Sequence, residues 1–320
     1  MANGVLILAE VDGGKVVPVT FELIGAAQRL DAGPVSAMLI GSGVEGAAAQ
    51  ITGVEKVYVI DDAALAQYTN DGYTRAAAAI AKQADPAVIL LGQTSAGRDL
   101  GPSLAYRLGT AVAMDTVALE MKDGKLHGTR PAYGGNARAV NSFTTSPAIA
   151  TVRPKSQDAA SGGGAPAVEK VAFDASGIRA KVTGRKEATS EGVRLEDADV
   201  VVSGGRGLGG PENFDGIEKL AKLLGGAVGA SRAVADLGWR PVSEQVGLTG
   251  KVVSPTLYIA VAISGASQHM AGCSGSKNIV AINKDADANI FKAARFGIVG
   301  DFKTVIPALI EAVKKVKAEG

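Results

Sequence analysis

Short apolar runs recur through the second half of this chain, and each candidate strand there stops at a small or polar residue. Val200-Val201-Val202 breaks at Ser203 into Gly204-Gly205-Arg206-Gly207-Leu208-Gly209-Gly210. An amphipathic segment follows with Phe214, Ile217, Leu220 and Leu224 on one face, so the pattern predicts strand, glycine turn and helix. It then repeats. Ala227-Val228-Gly229-Ala230 stops at Ser231-Arg232, the run 257–263 at Ser264-Gly265, 278–282 at Asn283 and 296–299 at Gly300-Asp301.

The first half reads in the same grammar, with strands over 5–9, 35–40, 57–60 and 87–91 and helices over 19–30, 73–84 and 96–108. Such βα units predict a second, separate sheet. After Asp115 the pattern changes: 117–121 and 125–128 flank Lys122-Asp123-Gly124, a hairpin signal, and 137–144 and 148–152 read as further strands. These are expected to close the first sheet with antiparallel strands. Short strands are expected over 168–173 and 178–184. Apolar periodicity is lost in the charged run 185–199, which puts a domain boundary near residue 190, dividing the chain into 1–190 and 191–320. The fold class expected is α/β, two domains, each a mainly parallel sheet flanked by helices, the second doubly wound.

Composition narrows the function. A chain of 320 residues with 47% apolar content can fill two cores, and a formal charge of +1 gives no case for nucleic acid or an anionic membrane as bulk partner. No apolar run approaches the roughly 18 residues of a membrane span, and no leader pattern opens the chain. A cytoplasmic location without direct membrane insertion is therefore expected. Cys273 is the one cysteine, and with two histidines it supports neither an internal disulfide nor an ordinary zinc site.

In open parallel sheets ligands bind beyond the carboxyl ends of the strands, where these polar stops fall. Gly205-x-Gly207-x-x-Gly210 has the form of a dinucleotide fingerprint. The second strand, however, ends at Ser231-Arg232, where an acidic residue would be needed for the ribose, and no Lys-Ser/Thr follows the glycines. Neither a nicotinamide site nor a P-loop fits. In the first half, Gly92-Gln93-Thr94-Ser95-Ala96-Gly97-Arg98-Asp99 joins a strand to a helix, and either a capped structural turn or a phosphate loop of a nucleotide-binding enzyme would read this way.

Several segments taken together are more specific: Ser203-Gly204-Gly205-Arg206-Gly207, Gly229-Ala230-Ser231-Arg232, Gln245-Val246-Gly247-Leu248-Thr249-Gly250-Lys251, Leu257-Tyr258-Ile259-Ala260, Ile263-Ser264-Gly265-Ala266-Ser267-Gln268-His269 and Val280-Ala281-Ile282-Asn283-Lys284-Asp285. With these the last 120 or so residues resemble the FAD-binding domain of the electron transfer flavoprotein alpha subunit family. Arg130-Pro131-Ala132-Tyr133-Gly134-Gly135-Asn136 and Thr151-Val152-Arg153-Pro154-Lys155 extend the resemblance more loosely over the whole chain. Gln157 and Leu248 depart from the family pattern, which commonly has an aromatic and a glutamine there.

The resemblance implies that Arg232, following Ser231, lies by the isoalloxazine ring, where a fixed positive charge favours reduced, anionic flavin. It implies that Thr249, within Gln245, Val246, Gly247 and Leu248, faces the N5 edge and that His269 donates to the pyrimidine carbonyl at O2. Ser264, Gly265, Ala266, Ser267 and Gln268 would serve ribityl and pyrophosphate. Asn283, Asp301 and Phe302 would serve the adenosine side, and Arg206 the phosphates or adenosine. As a structural alternative, Asp301 reads as a helix cap. No catalytic and no metal-ligating residue is expected, because flavin electron transfer asks the protein mainly to hold and tune the ring.

The family further implies a beta subunit that completes the pocket and carries AMP, with electrons passing from acyl-CoA or other dehydrogenases to a quinone oxidoreductase. On that reading the chain is an electron carrier without a reaction of its own, contacting the beta subunit through its first domain. Alternatives are an electron-bifurcating flavoprotein with a second FAD in the beta subunit, a nucleotide-binding enzyme using the 92–99 loop, and a structural partner whose flavin site has decayed. Retention of Arg232, Thr249 and His269 together argues against decay.

Overall fold

The computed structural model describes residues 3–135, 137–160, 162–184 and 193–319. They form two compact units, one of residues 1–131 with 138–186, the other of 132–137 with 187–320. The boundary expected near residue 190 lies outside the described residues.

The first unit runs β1 (Val5–Ala9), a small hairpin β2 (Val11–Asp12) and β3 (Lys15–Val16), α1 (Pro18–Leu30), β4 (Val35–Gly41), β5 (Lys56–Asp61), α2 (Asn70–Ala84), β6 (Val88–Gly92) and α3 (Ser95–Arg107). It continues with β7 (Val112–Thr116), β8 (Ala118–Lys122), β9 (Lys125–Ala132), β10 (Ala137–Ser142), β11 (Ala148–Val152) and β12 (Ala167–Lys170). Seven strands pair in the order β12-β5-β4-β1-β6-β11-β7. Every pairing in that sheet is parallel.

Two expectations are corrected here. No antiparallel strand closes the first sheet: β11 and β7 join it in parallel, and β8, β9 and β10 form their own three-stranded sheet. The burial explains the division. β11 is buried at all five positions, as a strand covered on both faces must be, whereas β8 alternates exposed and half-buried residues and so has one face in water. Residues 178–184 form no strand. They are an exposed strap, with the Arg179 N–H donating to the Asp71 carboxylate at 2.7 Å.

The second unit contains β13 (Val200–Gly204), α4 (Phe214–Leu223), β14 (Ala227–Ala230), α5 (Arg232–Asp236), β15 (Leu257–Val261), α6 (Ser267–Cys273), β16 (Asn278–Asn283), β17 (Phe296–Val299) and α7 (Phe302–Glu319). Its sheet is parallel throughout, in the order β14-β13-β15-β16-β17. The period-two alternation splits β13 to β16 between two cores, while the edge strand β17 is exposed throughout. Val201, Tyr258, Ala260, Ile279 and Ala281 fill one face. Val202, Ile259, Val261 and Ile282 fill the other, under Phe214, Ile217 and Leu220 of α4 and Ile306 of α7.

The winding is doubly wound, with the chain leaving β13 toward β14 on one side and returning to β15 on the other. That reversal opens a crevice at the carboxyl ends of β13 and β15, the place where such sheets bind ligands. Close approach keeps those ends together. A Cβ on Gly204 would stand 2.6 Å from the Phe214 ring, and one on Gly205 2.1 Å from the Ala262 carbonyl.

Phe214 is 1% exposed and seals the sheet under the glycine turn. Phe214→Ala is expected to cost about 3–5 kcal/mol by urea unfolding; a loss below about 1 kcal/mol would contradict this packing.

Candidate functional site

The residues singled out from sequence, from Arg206 to Phe302, all follow the carboxyl ends of the second unit's strands or sit on the loop that spans them. Arg206 follows β13, Ser231 and Arg232 follow β14, and 264–269 follow β15. Asn283 ends β16, and Asp301 and Phe302 follow β17.

The loop 245–251 comes between α5 and β15, yet backbone bonds fasten it to this edge. Val246 N–H donates to the Ala230 carbonyl at 2.9 Å, and Leu248 N–H donates to the Gln268 carbonyl at 2.8 Å. Gly247 adopts φ +149°, a conformation that favours glycine. Gly272 lies so near that a Cβ on it would be 2.3 Å from the Gly247 nitrogen. The loop is thereby held between the end of β14 and the start of α6. The Leu248 backbone is tied into this brace while its side chain is exposed.

Buried Gln245 donates through Nε2 to Thr249 Oγ1 at 3.0 Å. Because Thr249 accepts there, its hydroxyl proton remains available to a second partner. Thr249 itself is exposed, as are Ser264, Ala266, Ser267 and Gln268. Gly265 has φ +82° and lies against Ile290, whose N–H donates to the Ser264 carbonyl at 3.1 Å. Ala262 takes φ +54° without being glycine, a strained position beside the crevice.

Other expected residues are partly committed to the fold. The Asn283 side chain donates to the Ile263 carbonyl at 2.9 Å and accepts from Asp285 N–H at 3.0 Å. Asp301 accepts from Lys303 N–H at 2.9 Å as α7 begins, which is the capping alternative in structural form. Phe302 is half-buried and packs against the core cluster as α7 begins. Arg206 is exposed. Arg232 is two-thirds exposed, its Nε 3.4 Å from Asp236 Oδ2, an ion pair too solvated to fix it strongly. Trp239 packs half-buried against the α4 face of the sheet.

His269, on α6, is the buried member of the group at 7% exposure. Its Nε2 is 2.9 Å from the Tyr258 hydroxyl, while Nδ1 has no hydrogen-bond partner among the described residues. Burial pushes its pKa down to about 4, so the ring is neutral near pH 7. Cys273 Sγ points to the His269 carbonyl at 3.6 Å, and burial pushes the thiol up to about 12, which leaves it protonated and unreactive. Sequence reasoning overlooked Tyr258 as part of this group. A phenol within the apolar run 257–261 was the available signal.

The 92–99 loop of the first unit is already filled by protein. Thr94 Oγ1 accepts from Gly97 N–H at 3.0 Å as the cap of α3 and donates to Glu10 Oε1 at 2.8 Å. Burial raises Glu10 to about 7, so a carboxyl group stands where a phosphate would have to approach. A cleft of about 810 Å³ between α2 and α3, lined by Asp71, Tyr106, Arg107 and Arg179, contains none of the residues singled out from sequence. No helix among the described residues is long and apolar enough to cross a membrane.

A parallel, doubly wound sheet carrying a polar loop across the ends of two strands defines a nucleotide-cofactor-binding class of protein. Comparison with known proteins narrows it. Residues 5–176 match the family described as the electron transfer flavoprotein domain, and 194–274 match the electron transfer flavoprotein FAD-binding domain. The chain is 46% identical to an electron transfer flavoprotein subunit alpha of Thermoanaerobacterium thermosaccharolyticum, covering 97% of this chain and 98% of that one. It is 43% identical to the subunit alpha of Megasphaera elsdenii, covering 98% and 97%, and 40% identical to that of Bacillus subtilis, covering 98% of each. The chain belongs to the electron transfer flavoprotein alpha-subunit family.

The neutral, buried His269 generates a pH signature. The unfolded chain binds a proton near the ordinary value of 6.5 and the folded state only near 4, so stability is lost as pH falls through that window. The stability of the parent chain minus that of His269→Gln is expected to fall by about 1.4 kcal/mol per pH unit at its steepest between pH 6.5 and 4. A difference that stays flat across that range would show that His269 titrates normally.

Proposed function

We propose that the chain binds FAD on the rim of its second unit and, paired with a beta subunit, carries electrons between dehydrogenases and a quinone oxidoreductase. The observation that supports this most is the fastening of 245–251 beside 264–269, which gathers Arg232, Thr249 and His269 along one sheet edge in a chain of this family. The residues present fit a flavin. The rim offers exposed polar and small residues at Ser264, Ala266, Ser267 and Gln268, a free hydroxyl proton at Thr249, and a buried ring nitrogen at His269 that meets no protein partner at hydrogen-bond geometry among the described residues.

When bound, FAD supplies the electron transfer, and the chain's residues hold and tune it. Thr249 and His269 would donate to the ring, 264–268 would hold the ribityl and diphosphate, and Arg206, Asn283, Asp301 and Phe302 would flank the adenosine side. Arg232 contributes a positive charge that favours reduced flavin. No side chain here needs to transfer a proton, and a histidine held neutral suits a fixed donor better than an acid. We assign the chain no stand-alone reaction. The donor class is acyl-CoA or other dehydrogenases, the location is cytoplasmic, and the beta subunit, contacting the first unit, holds AMP. In the bifurcating alternative the beta subunit would hold a second FAD. The enzyme reading of the 92–99 loop loses ground to the Thr94 and Glu10 contacts, which occupy the loop.

The test is reconstitution of the chain with its beta subunit. One FAD per heterodimer, seen in the visible spectrum, is expected, and Arg232→Ala should lower its midpoint potential by tens of millivolts. Two FAD per heterodimer would favour the bifurcating form. A colourless complex that takes up no FAD would overturn the proposal.

A further inference from the structure

We propose that Tyr258 is a positioning residue that keeps the proton of His269 on Nδ1, so that Nδ1, and not Nε2, is the donor this rim offers. The inference rests on reading the rim as the flavin site.

Tyr258, the second residue of β15, is completely buried, and its hydroxyl reaches His269 Nε2 at 2.9 Å. Burial holds the phenol far above its ordinary pKa, so it always carries a proton. In an apolar core that proton must find an acceptor. Ser203 Oγ and Cys273 Sγ flank the phenol, but of the three neighbours only His269 Nε2 meets it at hydrogen-bond distance and angle. Nε2 is the acceptor that remains within reach. A neutral imidazole that accepts at one nitrogen carries its proton on the other. The Val246 backbone lies beside the imidazole, and no described residue completes a hydrogen bond to Nδ1. Nδ1–H is therefore a buried donor with no protein acceptor, held against the loop that carries Thr249. Without the phenol, the proton could move to Nε2, and Nδ1 would present a lone pair to a carbonyl acceptor.

The chain has two histidines, which makes the tautomer readable. The full chain, with ¹⁵N-labelled histidine and in complex with its beta subunit, would be stripped of FAD and examined by nitrogen NMR at pH 7, with His127→Gln to assign the signals. His269 is expected to show the Nδ1–H tautomer. Tyr258→Phe, which keeps the ring volume, is expected to lose that signature and to weaken FAD binding about tenfold, the loss of one buried hydrogen bond. An Nε2–H tautomer in the parent, or an unchanged tautomer in Tyr258→Phe, would overturn the assignment. Should the variant not fold, the parent spectrum alone decides. FAD returned to the parent should shift Nδ1; if the tautomer is as stated and FAD shifts nothing, the flavin reading fails and the role of Tyr258 stands.

Discussion

The backbone bonds from Val246 N–H to the Ala230 carbonyl and from Leu248 N–H to the Gln268 carbonyl hold the site together. They turn the segment 245–251 from a connecting loop into a brace across the ends of two strands that are not neighbours in the sheet, β14 and β15. Their formation depends on bare backbone on both sides, with Gly247 against Gln268 and Gly272 against Gly247. A side chain at Gly272 would push the brace away, and Thr249 would leave the edge that carries Arg232 and His269. The glycines of this unit thus act through contact distance as much as through conformational freedom.

Electron transfer by a bound flavin places a particular demand on a protein: donors must be present, fixed and slow to change protonation. Two polar groups at this rim, Thr249 and His269, are each backed by a partner one layer deeper. Gln245 takes up one side of Thr249 and so leaves its proton outward. Tyr258 does the same for His269. Burial keeps the imidazole neutral and the neighbouring Cys273 thiol closed to redox chemistry. Arg232, by contrast, stands in solvent, where its charge is felt but weakly held.

Most of the second unit was legible in the sequence because its strands stop abruptly at glycine or polar residues and α4 carries its apolar face at helical spacing. The run of segments from Ser203 to Asp285 also allowed the family to be read from residues. Legibility failed where the information was not local. Nothing in the run 148–152 distinguishes a parallel insertion between β6 and β7 from an antiparallel closing strand, since pairing direction depends on where the chain returns. Residues 178–184 carry strand-like alternation, but the segment is tied to α2 through Arg179 and pairs with no strand among the described residues. Tyr258 was hidden in plain view, its hydroxyl having meaning only once α6 brings His269 over β15.

The most direct measurement is amide hydrogen exchange of the heterodimer with and without FAD. The account predicts protection in this chain at 245–251 and 264–269, with the turn after Gly204 and the start of α7 following, and none at 92–99. Protection confined to 92–99, or found solely in the beta subunit, would contradict it.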